Sequence, residues 1–231
     1  MLTTDLTVGV FGEIPRYNFV NKKGELDGFD LDIIRKAVSE LGCKAIFKKM
    51  PFEKLEPSLL RGDVDMIISG MGMSQERLNK FAMVPYLCKP TNAFGLVFLK
   101  TSTGTPSSLE EFKESTVAVI TKTRPEKYLA AKKVEKLPLE DEDSVKTCLK
   151  AHKAAAALLG TDAAIILTQD DDNFGYIEIP VEKEFQVKGI GIGICKERTS
   201  LFAKMTKVIE ELNSSGFISE CDKKWNATPG H

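Results

Sequence analysis

The chain has 231 residues, 42% of them hydrophobic, and a formal net charge of −1, enough apolar material for one large core or two lobes of about 100 residues each. The balanced charge, with no block of five like charges, argues against a nucleic-acid or anionic-membrane binder. No apolar run approaches the roughly 18 residues of a membrane span, and MLTTDLTV has neither the basic nor the apolar region of a signal peptide.

Residues 6–10 read as a first strand, and FGEIPRYNF follows as an irregular loop at its carboxyl end. Open α/β sheets place ligands there, which makes Phe11, Glu13, Ile14 and Tyr17 pocket candidates. NKKGELDG is a turn or a hairpin, with Gly24 and Gly28 flanking charged residues between apolar segments. Asp30 is placed to cap a helix that runs to about Leu41, because Leu31, Ile34, Val38 and Leu41 fall at helical spacing and Gly42 ends it. Residues 44–49 form a second strand, and Phe52 opens a short helix containing Pro57.

The run GDVDMIISGMGMSQERLNKFAMVPY (62–86) is the most informative part of the chain. Residues 64–68 are a short apolar stretch of the kind buried in a parallel sheet. Gly70 and Gly72 then allow a sharp turn or a close approach to the backbone, with Met71 between them. Ser74 is a good N-cap for a helix over 75–82. Arg77 falls in the first turn of that helix, where its side chain can lean back over the free N–H groups of the loop. A guanidinium beside unpaired amides is a carboxylate clamp; the plainer alternative is a surface arginine on an amphipathic helix.

Strands are predicted at 94–99 and 116–120, separated by a short helix capped by Ser107 or Ser108. Pro125 suits the first turn of the next helix, so Lys122, Thr123 and Arg124 lie at a helix N-terminus after a strand, a ready anion site. A strand near 134–139 and a helix over 143–152 follow, and then the apolar run 154–159, which is ambiguous between helix and strand by periodicity and is stopped by Gly160. QDDDNFG is a turn, whose three aspartates could alternatively bind a cation. A strand at 176–179 precedes EFQVKGIGIGICK, whose alternating glycines require close backbone approach on one strand face. A helix with Leu201, Met205, Val208 and Leu212 on one stripe ends by Gly216, and a last short helix carries Trp225 as a packing anchor.

Five cysteines (Cys43, Cys88, Cys148, Cys195, Cys221) are widely spaced without a C-x-x-C, so no zinc site is expected. Cys195 and Cys221 could pair, with buried free thiols as the alternative. His152 and His231 offer no material for histidine chemistry; no metal and no cofactor are expected.

The 62–86 block, with GELDGFDLDIIRKAVSELG upstream and KGIGIGICKERTSLFAKMTKVIEELNSSGFISECDKKW downstream, resembles the polar amino-acid binding proteins of ABC importers, the family 3 extracellular solute-binding proteins. Three motifs in the same order over most of the chain carry the resemblance. It implies an α/β, two-lobed periplasmic-binding-protein fold of type II, each lobe a sheet flanked by helices and the two joined by two hinge strands, and it makes 154–159 a strand followed by a helix over 162–168 capped by Thr161. Lobe 1 would be 1–90 plus 187–231, carrying Arg77, and lobe 2 would be 91–186. It also implies a monomer working outside the cytoplasm, in the periplasm or extracellular, with or without a lipid anchor, its signal segment already removed. Its partners would be a small ligand captured by hinge closure and the membrane permease of an ABC importer, with no nucleic acid.

On that resemblance Arg77 holds the ligand's α-carboxylate with the Gly72 N–H and Thr123, the Gly70 carbonyl takes part of the ammonium, and Phe52 stacks on the ligand unless it serves the core. The family carries Gly-Thr or Gly-Ser where this chain has Lys122-Thr123-Arg124. Its usual acidic ammonium partner aligns with Leu159, so Asp162, Thr161 or Glu13 would have to substitute. Phe11 stands where several basic amino-acid binders carry aspartate. With Ile14, Phe52 and Met71 it predicts a largely apolar side-chain pocket, while Lys122 and Arg124 tolerate a second anionic group. A neutral or acidic amino acid then fits better than a basic one. Two alternatives use the same scaffold: a cyclohexadienyl dehydratase-like enzyme with Glu13 or Asp162 as general acid, and a sensor ectodomain binding a small carboxylate.

Overall fold

The structure, a computed structural model, describes residues 5–88, 90–100, 104–141, 143–169 and 171–227. The chain divides into two compact units. One comprises the described residues up to Pro90 together with those from Val187 onward; the other runs Thr91–Gln186.

The first unit starts with β1 (Asp5–Val10), whose Val8 and Val10 are fully buried. The loop expected over 11–19 instead carries β2 (Glu13–Ile14) and the start of β3 (Asn18–Val20), and over 21–28 the chain turns as a hairpin into β4 (Leu26–Asp27), giving a small antiparallel sheet in the order β2-β3-β4. Its local signal is weak because its strands are only two or three residues long. Helix α1 (Phe29–Glu40) follows, with Phe29, Leu31, Ile33, Ile34, Ala37 and Val38 buried on its core face. Each such side chain contributes about 1.5–3 kcal/mol. Asp30 does not cap this helix. The first-turn amides of Phe29 and Asp30 donate instead to the carbonyls of Arg16 and Tyr17, at 2.9 and 2.8 Å. Gly28 is the N-cap residue, with φ 125°.

Then come β5 (Lys44–Lys49), α2 (Phe52–Arg61), β6 (Met66–Ile67), α3 (Gln75–Lys80) and β7 (Ala82–Leu87). Strand β6 is shorter than the apolar run, and β7 takes residues 82–87, the first of which the sequence had placed in the helix. Pro85 hides β7 from a sequence reading. It is tolerated because β7 is an edge strand and the register shifts opposite it, between Ile190 and Gly191.

The second unit holds β8 (Ala93–Leu99), β9 (Val117–Ile120), α4 (Arg124–Lys132), β10 (Lys136–Leu139), α5 (Asp143–Lys150), β11 (Ala156–Gly160), α6 (Thr161–Gln169) and β12 (Phe174–Pro180). Short 3-10 turns lie at Leu109–Phe112 and Lys183–Phe185. The chain then returns to the first unit as β13 (Ile190–Ile194), α7 (Thr199–Ser214) and α8 (Phe217–Trp225).

Both main sheets are built to one plan. The first is ordered β5-β1-β6-β13-β7 and the second β10-β9-β11-β8-β12. In each, the first three strands pair parallel, the fourth runs antiparallel to them, and the fifth pairs antiparallel with the fourth. The glycines of β13 do require close packing: a Cβ on Gly193 would lie 2.7 Å from Ile67. Likewise a Cβ on Gly95 of β8 would lie 2.2 Å from the Ala164 Cβ of α6. Trp225 anchors α8, its Nε1–H donating to Asp32 at 2.7 Å and its ring meeting Phe19 edge-on. All five cysteines are free thiols, Cys195 and Cys221 included.

Candidate functional site

In the first unit the chain runs from β1 through α1 to β5 on one side, then through α2 to β6 on the other. The loops after β1 and β6 therefore leave the sheet where the winding reverses, the place where open α/β sheets bind ligands. Phe11 and Gly12 occupy the first loop and residues 69–73 the second. The Phe11 N–H donates to Ser69 Oγ at 2.8 Å, which ties the two loops together.

Arg77 is brought here by the capped start of α3: Ser74 Oγ accepts from the Arg77 N–H at 3.3 Å. Its side chain is 17% exposed and turns inward. Nε donates to Glu56 Oε1 at 2.9 Å, Nη1 donates to the Gly72 carbonyl at 3.1 Å, and the guanidinium lies 5.8 Å from the Phe52 ring centre. Phe52 in turn meets Phe11 edge-on, with centroids 5.9 Å apart. Around Gly72, the Met73 N–H donates to the Gly189 carbonyl and the Gly191 N–H to the Met71 carbonyl, so it is the neighbours of Gly72 that pair with the returning strand. In an extended segment the N–H and C=O of one residue point to the same side. The Gly72 N–H therefore faces the side on which its carbonyl meets Arg77. The guanidinium touches the Gly72 carbonyl directly, where the sequence had placed it over free amides.

Other first-unit candidates divide. Ile14 and Tyr17 both lie beside Gly70, whose φ of 56° is left-handed. The Gly70 N–H is turned inward to Asp30 Oδ2 at 2.8 Å. Across a planar trans peptide this turns the Ser69 carbonyl the opposite way, away from Asp30. Met71 is fully buried and belongs to the core with Leu55, Leu59, Ile67 and Phe81, so it does not line a pocket. Its neighbours being glycines, the sequence showed no periodicity to separate core from pocket. Glu13 is 57% exposed and ion-paired with Lys49 at 2.9 Å.

In the second unit the winding also reverses, at β9 and β11; Lys122-Thr123 lie in the loop after β9, and β11 passes at Gly160-Thr161 directly into α6. Thr123 caps α4, accepting from the Glu126 N–H at 3.4 Å. Glu126 reaches back to accept from the Lys122 N–H at 2.7 Å and pairs with Lys136. Lys136, and then that N–H, hold its carboxyl below the usual range. The helix start thus supplies an anion of its own. Lys122 adopts φ 62° where the resembled pattern has glycine. Arg124 donates to the Phe185 carbonyl at 2.8 Å and lies over the Phe94 ring, so it buttresses its own unit. Asp162 sits in the first turn of α6, and the Thr161 hydroxyl donates to the Ala93 carbonyl at 3.2 Å.

Leu159 is 2% exposed and packed in the core of this unit. Its strand is covered on both faces, Ala156 and Leu158 packing into one core cluster and Ala157 and Leu159 into the other, so Leu159 serves the packing of this unit. Leu159→Ala is expected to cost about 2–5 kcal/mol of stability, read by thermal melting, while leaving ligand affinity unchanged by calorimetry.

Sequence reasoning missed Glu56 and the Asp30 cluster. Glu56 had a signal: it lies four residues after Phe52 on α2, and i, i+4 residues share a helix face. Asp30 is fully buried. Burial pushes its carboxyl up to about 7, against the downward pull of its donors Tyr86, Asn18 and the Gly70 N–H. Asp170 of the acidic run lies outside the described residues; Asp171 is occupied by Lys150 and Asn173, which hold its carboxyl down at about 2. Among the described residues no cluster of acidic, histidine or cysteine side chains could hold a metal, and no helix is long and apolar enough to cross a membrane.

The chain is 28% identical over 221 residues to the probable ABC transporter arginine-binding protein ArtJ of Chlamydia trachomatis, covering 94% of this chain and 84% of the relative. It is 28% identical over 214 residues to the histidine-binding periplasmic protein of Escherichia coli, covering 89% and 81%. Among solved structures, a mutant of ArgBP from T. maritima superposes with a TM-score of 0.79 at 27% identity, covering 96% and 95%. These are binding proteins by name. The type II periplasmic-binding-protein fold expected of the chain is the fold it has. Bacterial extracellular solute-binding proteins of family 3 match residues 6–228, and the chain belongs to that family.

Proposed function

We propose that this protein captures an amino acid outside the cytoplasm and hands it to the membrane permease of an ABC importer. The observation that carries the reading is Arg77: a mostly buried guanidinium, held from behind by Glu56 and the Gly72 carbonyl, on the same side of the loop as the Gly72 N–H. A carboxylate entering a poorly hydrated site needs both a cation and oriented donors, since burying it unpaired costs several kcal/mol. The Ser69 carbonyl, turned away from Asp30, is the acceptor we assign to the ammonium group.

For the ligand's side chain we propose a planar, nitrogen-bearing group, as in arginine, histidine or glutamine, lying against Phe11 and Phe52 with Ile14 alongside. This keeps a neutral ligand such as glutamine, drops the acidic one, and admits the basic amino acids that the sequence had disfavoured. That disfavour rested on a phenyl ring standing where basic-ligand binders carry a carboxylate, yet aromatic faces attract guanidinium and imidazolium groups as well. The names of the arginine- and histidine-binding relatives support the revision. Glu13, solvent-exposed and paired with Lys49, lacks the enclosed setting of a general acid, which favours capture over dehydration. Isothermal calorimetry against arginine, histidine, glutamine and glutamate tests the reading. Arginine, histidine or glutamine is expected to bind at least about tenfold more tightly than glutamate, a difference of about 1.4 kcal/mol; preference for glutamate would overturn the side-chain assignment.

A further inference from the structure

The Asp30 carboxylate is the centre of a buried hydrogen-bonded cluster that reaches both loops of the first unit's half-site. Oδ2 accepts from Asn18 Nδ2 and from the Gly70 N–H, each at 2.8 Å, and Oδ1 accepts from the Tyr86 hydroxyl at 2.6 Å. Asn18 carries the connection onward, its Oδ1 accepting from the Gly12 N–H at 2.8 Å. Asn18, Asp30, Ser69 and Tyr86 are all essentially buried. One side chain on α1 thus fixes the loop after β1, through Asn18, and the loop after β6, through Gly70. We propose that Asp30 is a positioning residue for amino-acid capture, locking loops 11–12 and 69–70 into one register and holding the Ser69–Gly70 peptide so that its carbonyl faces the ligand. This rests on the capture reading above.

The charge of the carboxylate matters to that task. An ionised oxygen holds an N–H roughly twice as strongly as a neutral one, and a negative charge behind the loop favours an ammonium in front of it. Of the titratable groups, Tyr86 from β7 faces Asp30 directly, and Tyr17, from the turn between β2 and β3, acts on Tyr86. No charged side chain pairs with it among the described residues. Burial raises the carboxyl to about 7 while the donors oppose the rise, so its ionisation falls within the accessible pH range. Ligand binding should favour the ionised form, and by reciprocity affinity should tighten as pH rises through about 7.

Calorimetry with arginine and glutamine between about pH 5.5 and about pH 8.5, with melting curves in parallel, tests this. Wild-type affinity is expected to rise about tenfold across that range, the limit set by a one-unit shift of the carboxyl on binding. Asp30→Asn should bind with the weak, low-pH affinity throughout. Tyr86→Phe removes one donor without opening a large cavity and should move the midpoint of the rise upward. His152→Gln controls for the histidine of the second unit and should leave the profile unchanged. A flat wild-type profile, a wild-type profile retained in Asp30→Asn, or a rise abolished by His152→Gln would overturn the positioning role while capture stands. If Asp30→Asn does not fold, an unmoved midpoint in Tyr86→Phe overturns it. Absence of wild-type binding to any amino acid at millimolar concentration overturns capture, and this proposal with it.

Discussion

Replacing Arg77 with alanine is expected to weaken amino-acid binding by about 30-fold to several thousand-fold, because truncating one partner of a buried, hydrogen-bonded charge pair costs about 2–5 kcal/mol. The folded protein should tolerate the change. Glu56, which Arg77 engages through Nε, keeps Lys80 as a second partner at 3.4 Å. Arg77→Lys separates charge from geometry. A lysine keeps the cation but loses the planar fork that bonds Glu56 and the Gly72 carbonyl simultaneously. It should bind more tightly than the alanine variant and at least about tenfold more weakly than wild type. Calorimetric titration, with melting temperatures alongside, measures both; wild-type affinity in Arg77→Ala would remove Arg77 from the site.

The second large effect concerns stability. Gly28→Val is expected to destabilise the first unit by about 3 kcal/mol or more. Gly28 has φ 125°, a backbone conformation that β-branched residues do not adopt without strain. A Cβ there would lie 2.5 Å from the Tyr17 carbonyl oxygen and 3.1 Å from that of Arg16. Those are the two carbonyls that receive the first amides of α1, so no flexible side chain can move aside to absorb the clash. A fall in melting temperature of about 6–12 °C is expected for a chain of this size. An unchanged melting temperature would show that the backbone relaxes there freely. Gly28→Ala should share the direction with a smaller effect.

The helices were largely legible because each has a local cause. The apolar spacing of α1, Ser74 before α3, Pro125 in the first turn of α4 and the stripe of α7 read directly from neighbouring residues. Arg77 was legible for the same reason, since cap, first turn and side-chain direction are local properties. What escaped depends on partners distant in sequence. Nothing around Ala82 to Leu87 shows that Pro85 will meet a register shift in β13, about a hundred residues later. Nothing beside Asp30 shows that its helix start is served by residues 16 and 17, leaving the carboxylate to turn inward toward Asn18, Gly70 and Tyr86. Leu159 and Met71 misled because residues entering a binding loop share one composition whether they face the core or the opening.

Strand β13 lies between β6 and β7 in its sheet, yet it is made from residues 190–194. The first unit therefore cannot complete its sheet while the ribosome has delivered only its amino-terminal portion, whereas the second unit is one continuous stretch, Thr91–Gln186. Pairing β13 closes a loop of more than a hundred residues, and such non-local closure is slow. During synthesis or export the middle of the chain should therefore reach its native form first. The amino-terminal third, with its unpaired β6 edge, stays the protease-sensitive and aggregation-prone part until the carboxyl-terminal segment arrives.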